Sequence, residues 1–177
     1  MKRLTLIRHA KSSHDNPAMR DFDRPLNARG RRDAPAIGRH LDETHDFLPD
    51  LVLSSPATRA ITTARMIAKE TALDEWAIRQ DERIYEAPVS SLAAVVRELS
   101  DHFQHVAIFG HNPGMEDFTN WLCGHPAVTG FRTGGVVFLE LDLESWSGLH
   151  AGTAVLKDYL FPAMIGAGKE SEPTDRR

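Results

Sequence analysis

Leu4-Thr5-Leu6-Ile7-Arg8-His9 is the stretch on which the architecture turns. An apolar run this short, breaking abruptly at charged residues, reads as a strand buried on both faces. The same shape returns twice. Leu51-Val52-Leu53 runs into Ser54-Ser55-Pro56, and Val106-Ala107-Ile108-Phe109 runs into Gly110-His111-Asn112. Each run is followed by a helix signal, and strands alternating with helices make parallel crossover units. Beyond an irregular polar segment from Ala10 to Pro25, a helix is expected from about Asn27 to Thr44. After the second run Ser55 can cap and Pro56 can take the first helical position. Ile61, Ala64, Ile67 and Ala68 then form a buried stripe through about Lys69. After the third run Asn112-Pro113 repeats the cap-then-proline signature before Phe118, Trp121 and Leu122.

Between the second and third runs lie a short strand around Ala77 to Ile78 and a helix with Leu92, Val95, Val96 and Leu99 on one face. Val136 to Leu141 and Thr153 to Tyr159 read as strands joined by a turn-rich stretch with Ser145, Ser147, Gly148 and Gly152, a closing antiparallel pair. The expected fold is a three-layer α/β/α sandwich with a mostly parallel sheet and an antiparallel C-terminal strand pair. No internal repeat divides residues 1–165, which are expected to form one domain. Residues 166–177, polar with almost no apolar side chain, are expected to be a disordered tail.

Composition narrows the classes. The 177 residues are 41% hydrophobic and 26% charged, values of an ordinary soluble globular chain. With 21 Lys and Arg against 25 Asp and Glu the net charge is -4, which disfavours grasping nucleic acid by its phosphates. The single cysteine, Cys123, excludes an intramolecular disulfide and a Cys-based zinc ribbon, and points to the cytoplasm. The apolar stretch at Leu4–Ile7 is too short for a signal peptide, and no run approaches membrane-spanning length, so no membrane partner is expected.

In an open α/β sheet, ligands bind beyond the carboxyl ends of the strands. The first strand ends at Arg8-His9, the second at Ser54-Ser55 with Arg59 just beyond, and the third at Gly110-His111-Asn112. Two arginines and two histidines thus converge on one edge, where helix N-termini also point. Guanidinium forks match the oxygens of a phosphate. A histidine flanked by arginines is kept neutral and nucleophilic by their like charge. His9 could attack phosphorus while Arg8, Arg59 and His111 neutralise the equatorial oxygens. Glu86, after the short middle strand, could supply the leaving group's proton. A lone Arg-His pair near an N-terminus is usually surface decoration; the company of Arg59 and His111 reverses that reading.

These residues resemble the histidine phosphatase superfamily. Leu6-Ile7-Arg8-His9-Ala10 is similar to its Arg-His-Gly signature, with Ala10 in place of the usual glycine. Ser54-Ser55-Pro56-Ala57-Thr58-Arg59-Ala60 resembles its second-arginine motif, and Gly110-His111-Asn112-Pro113-Gly114 its second-histidine motif. Asp23-Arg24-Pro25-Leu26-Asn27 before Gly30 is a fourth match. The resemblance implies that His9 is transiently phosphorylated, that Arg8, Arg59 and His111 form the phosphate pocket, and that Glu86 lies where many members have their proton donor. Only a helix and a strand separate Glu86 from His111, whereas phosphoglycerate mutases of the superfamily carry a long insertion there. That compactness, with Phe131-Arg132-Thr133-Gly134-Gly135 leading into the late strand, is similar to SixA-type phosphohistidine phosphatases. It implies a phosphohistidine-bearing protein as substrate and partner, with a small-molecule phosphomonoester as the alternative. An idle phosphoprotein-binding module is a reading from another class, but binding alone has no need of His9.

Arg24 could line the pocket or pair with Asp21 or Asp23, and Asn112 is a further candidate for contacting substrate. No cofactor is expected. His14, His40, His45, His102, His105, His125 and His150 form no recognisable metal spacing and read as solvated surface residues. Cys123, Phe118 and Trp121 read as core.

Overall fold

Successive residues of a strand face opposite sides of its sheet, and here both sides are covered. The computed structural model describes residues 1–167. Strands β1 (Lys2–Arg8), β2 (Leu51–Ser54), β3 (Arg79–Gln80), β4 (His105–Gly110), β5 (Val136–Leu141) and β6 (Ala154–Leu160) form one sheet in the order β3-β2-β4-β1-β5-β6. β1 to β4 run parallel; β5 is antiparallel to β1, and β6 to β5. Leu4, Leu6, Leu51, Leu53, Val106 and Ile108 face α3 (Val89–Arg97) and α4 (Gly114–Cys123). Ile7, Val52, Ala107 and Phe109 face α1 (Ala28–Thr44) and α2 (Thr58–Lys69). The strict alternation of these two sets explains why the runs read as near-uninterrupted apolar: every residue from Leu4 to Ile7, Leu51 to Leu53 and Val106 to Phe109 is buried.

The first helix starts where expected, since Asn27 Oδ1 accepts the Gly30 N–H at 2.9 Å. Gly30 is required at that place because a Cβ there would lie 2.1 Å from the carbonyl oxygen of Lys11. Its absence lets the start of α1 press against the loop that follows His9.

Several local expectations are corrected. Helix α2 begins at Thr58, not Pro56, and its N-cap residue Ala57 makes no side-chain cap. Ser55 is engaged elsewhere, its Oγ receiving the Ala57 N–H at 3.2 Å and lying 2.7 Å from a ring nitrogen of His111. The middle strand falls at Arg79–Gln80 and not at Ala77–Ile78. The Asp74 carboxylate accepts the Trp76 N–H and winds Glu75–Ala77 into a 3-10 turn, which pushes the strand two residues on. His105 is no surface residue: it is buried in β4 with Nε2 2.8 Å from Thr5 Oγ1. Cys123 and Phe118 are buried as expected. Gly166 and Ala167 close the last 3-10 turn, and the remaining residues of the expected tail, 168–177, lie outside the described residues.

Candidate active site

The parallel register of β1 and β4 pairs Arg8 with Gly110, so His9 and His111 emerge side by side at the carboxyl edge of the sheet. The His9 N–H donates to the Gly110 carbonyl at 3.1 Å. Gly134, at a φ of +70° that favours glycine, donates its N–H to the carbonyls of Arg8 and His9. The strand end is thereby tied to the loop before β5.

The two imidazole rings lie 5.3 Å apart between centroids. His9 is 7% exposed and His111 4%. His9 Nδ1 is 2.7 Å from the Ala10 carbonyl oxygen, which can only accept. Nδ1 therefore carries the proton of the neutral ring, and Nε2 keeps its lone pair. Burial pushes the His9 pKa down to about 4, with the charges of Arg59, Arg8 and Arg24 lowering it further and the Ala10 bond opposing. For His111, burial and then His9 and Arg59 push it down to about 3. Both rings are neutral at neutral pH, and desolvation outweighs the arginine field as the cause. The Ser55 Oγ lies 2.7 Å from His111 Nε2 and fixes the orientation of that ring.

Arg59 sits in the first turn of α2, where a side chain leans back towards the helix N-terminus and so towards the sheet edge. It is 3% exposed. Its Nη1 donates to the Asp21 carbonyl at 2.7 Å and its Nη2 to Asp21 Oδ2 at 3.0 Å. Arg8 is anchored by Nη1 on the Phe131 carbonyl at 2.8 Å. Thr63 joins α2 to the end of β1: its Oγ1 donates to the Arg59 carbonyl and accepts the Ala10 N–H. Three buried polar atoms of this cluster, Arg8 Nε, Arg59 Nε and His111 Nδ1, have no hydrogen-bond partner among the described residues.

The other sequence candidates lie around this centre. Glu86, at a φ of +47°, places Oε1 3.8 Å from Arg59 Nη2, and its side chain is 59% exposed. It borders a cleft of about 410 Å³ lined also by Ala87, Pro88, Asn112, Pro113, Gly114 and Asp117. Arg24 donates through Nε to Asp21 Oδ1 at 3.0 Å and through Nη1 to Ser12 Oγ at 2.8 Å. Asn112 uses both ends of its amide on the protein, Nδ2 donating to the Phe131 carbonyl and Oδ1 accepting the Glu116 N–H. Among the described residues no group of three or more His, Cys, Asp or Glu is placed to hold a metal ion.

Sequence reasoning missed the roles of Asp21, Thr63 and Tyr85. The Tyr85 ring stands edge-on to His111, 5.4 Å between centroids, and its hydroxyl donates to Asp21 Oδ2 at 2.5 Å. Burial and the Asp21 carboxylate push its phenol up to about 12. The one available signal was position: Tyr85 precedes Glu86, and Asp21 opens the segment ending in Arg24-Pro25.

Buried guanidinium and imidazole groups gathered at the carboxyl edge of a parallel sheet are the chemistry suited to a phosphoryl anion. Residues 4–118 match the histidine phosphatase superfamily, branch 1, and the chain belongs to that superfamily. It is 32% identical to an uncharacterized chloroplastic protein of Arabidopsis thaliana over 82% of this chain and 69% of that one. Among solved structures it is similar to a protein from Agrobacterium tumefaciens provisionally assigned as the phosphohistidine phosphatase SixA. That likeness has a TM-score of 0.76 at 29% identity, over 91% of this chain and 98% of the other. The fold is shared with the protein histidine phosphatase SixA complexed with tungstate, at a TM-score of 0.77 and 20% identity over 92% and 99% of the two chains. It is shared too with a mycobacterial glucosyl-3-phosphoglycerate phosphatase, at 0.68 and 18% over 88% and 97%.

Proposed function

We propose that this protein is a protein phosphohistidine phosphatase that works through a covalent phosphohistidine at His9. The observation that carries the reading is the set of buried atoms without protein partners, Arg8 Nε, Arg59 Nε and His111 Nδ1, beside a His9 whose Nε2 is unprotonated. A buried N–H left unpaired costs about 1–3 kcal/mol. Two such guanidinium donors, with the unpartnered His111 ring nitrogen beside them, fit an anion with several acceptor oxygens, which a phosphoryl group supplies.

His9 Nε2 attacks phosphorus as the bond from phosphorus to the leaving group breaks, with Arg8, Arg59 and His111 holding the equatorial oxygens. The leaving group departs with the electron pair and takes a proton. Water then attacks the phosphoryl on His9, losing a proton, and releases inorganic phosphate with His9 restored. The proposed donor and acceptor of these protons is Glu86, near Arg59 and open to the cleft. Arg24, held by Asp21 through Nε and by Ser12 through Nη1, and Asn112, held on the Phe131 carbonyl, stand beside the pocket as further candidates for contacting substrate. The cycle uses no metal ion.

A phosphorylated imidazole on a partner protein suits the open Glu86 cleft and the likeness to the Agrobacterium tumefaciens protein. A phosphomonoester substrate is the second reading, favoured by Glu86 itself, because an alkoxide leaves only with a proton whereas a neutral imidazole leaves with much less help. A cytoplasmic setting is part of the proposal. The test is phosphate release from a phosphohistidine peptide and from sugar phosphates by chelator-treated protein. Faster turnover of the peptide supports the reading; turnover of sugar phosphates alone replaces it with the second; no turnover of any leaves a binding module.

A further inference from the structure

The two pocket arginines are held differently. Arg8 has a carbonyl on Nη1, that of Phe131. Arg59 also has a carbonyl on Nη1, that of Asp21, but the carboxylate of the same Asp21 takes Nη2 as well. Nη1 and Nη2 form the end of the guanidinium fork, while Nε and the second Nη2 hydrogen form its side. Asp21 therefore grips the end, and Nε, buried and unpartnered, belongs to the side that remains free.

We propose that Asp21 is a positioning residue that locks the Arg59 guanidinium by its end, so that its Nε side is presented to the transferring phosphoryl group. The inference rests on the phosphatase reading above and adds to it a residue outside the pocket's own lining. Asp21 is suited to the task because both of its carboxylate oxygens receive donors. Oδ1 receives Arg24 Nε at 3.0 Å, and Oδ2 receives Arg59 Nη2 at 3.0 Å and the Tyr85 hydroxyl at 2.5 Å. A carboxylate bonded to donors on both oxygens repels an incoming dianion less than a free one, and with Arg24 and Arg59 on either side the local charge stays positive. Burial alone would raise the Asp21 pKa, but the bonds from Tyr85 and Arg59 hold it well below the usual carboxylate range. The grip therefore survives mild acid. Asp21 also reaches the second imidazole, because the tyrosine it fixes stands edge-on to His111. One side chain from a 3-10 turn at Asp21–Asp23 thus sets two of the groups that contact the phosphoryl.

The experiment compares wild type with Asp21→Ala, Asp21→Asn and Tyr85→Phe. It measures kcat and KM on a phosphohistidine peptide, inhibition by orthovanadate and by orthophosphate, and the thermal midpoint. Losing a group that orients a contacting residue costs about ten- to hundredfold, so Asp21→Ala should lose that much kcat/KM, mostly in kcat. Vanadate, which mimics the five-coordinate transition state, should weaken by a similar factor and orthophosphate by less than about threefold, since the grip matters most where charge is redistributed. Asp21→Asn, which can still accept from Arg59, should recover most of the loss, and Tyr85→Phe should show the smallest. Wild-type kcat and vanadate inhibition in Asp21→Ala overturn the positioning role alone. Equal weakening of both inhibitors and the substrate, with a lowered thermal midpoint, also overturns it by showing a merely structural contact. Wild-type protein that neither turns over nor binds vanadate overturns the phosphatase reading and this inference together.

Discussion

The buried centre and the exposed rim of the candidate site are built on opposite plans. At the centre His9, Arg59 and His111 are 7%, 3% and 4% exposed, each fixed by at least one hydrogen bond to an adjoining strand end, turn or loop. Across the cleft the Glu86 side chain is 59% exposed and no closer than 3.8 Å to Arg59. Dry, fixed donors suit charge that is the same in every phosphoryl transfer, because preorganised dipoles need not reorient as the reaction proceeds. An open, loosely held carboxylate suits a part of the substrate that varies. On the proposed function the reaction is written into the buried half and the choice of leaving group into the exposed half, so substitutions in the two halves should fail in different ways.

The largest effect should come from the centre. His9→Ala is expected to lose about four orders of magnitude or more in kcat, as for removal of a nucleophile elsewhere, on every substrate alike while still binding vanadate. Comparable turnover in the alanine variant would break the contrast at its root. Arg8→Lys and Arg59→Lys keep the charge and lose the fork, and each should cost roughly a hundredfold or more, again independent of leaving group. Near-wild-type rates in both would mean that fork geometry is irrelevant. The rim should behave otherwise. Glu86→Gln is expected to lose roughly a hundredfold on an alkyl phosphate, the lower range of general acid catalysis, and little on a phosphohistidine peptide. Equal large losses on both would turn the substrate preference towards phosphomonoesters, and no loss on either would make Glu86 a structural carboxylate.

The smallest effect concerns stability. Burial lowers His9 and His105 to about 4 and His111 to about 3, while the unfolded chain protonates near 6.5. Between those values the unfolded state binds more protons, so stability should fall as pH drops from about 6.5 towards 4, by roughly 2–3 kcal/mol per histidine. Denaturant midpoints at pH 7 and pH 4.5 check this; equal midpoints would contradict the burial of the centre.

Much of the fold and of the candidate site is legible in the amino-acid sequence. Buried parallel strands declare themselves because both faces are apolar, and their charged ends mark the ligand edge, so Arg8, His9, Arg59 and His111 can be placed together. What escapes is set by local hydrogen bonds that hydrophobic pattern does not encode. Ser55 reads as a helix cap, yet its hydroxyl serves His111. His105 reads as solvated, yet its strand position turns it inward to Thr5. Asp21 sits in a polar loop with no periodicity, and its importance emerges only because Arg59, Arg24 and Tyr85 meet on it in space.

The central claim is that phosphate passes through His9 Nε2. Rapid mixing with a phosphohistidine peptide, quenching in alkali where phosphohistidine survives, and mapping the modified peptide by mass spectrometry tests it directly. The account predicts an acid-labile phosphate on His9, present in wild type and absent from His9→Ala. Phosphate found on another residue, or turnover with no phosphorylated enzyme at any quench time, would contradict it.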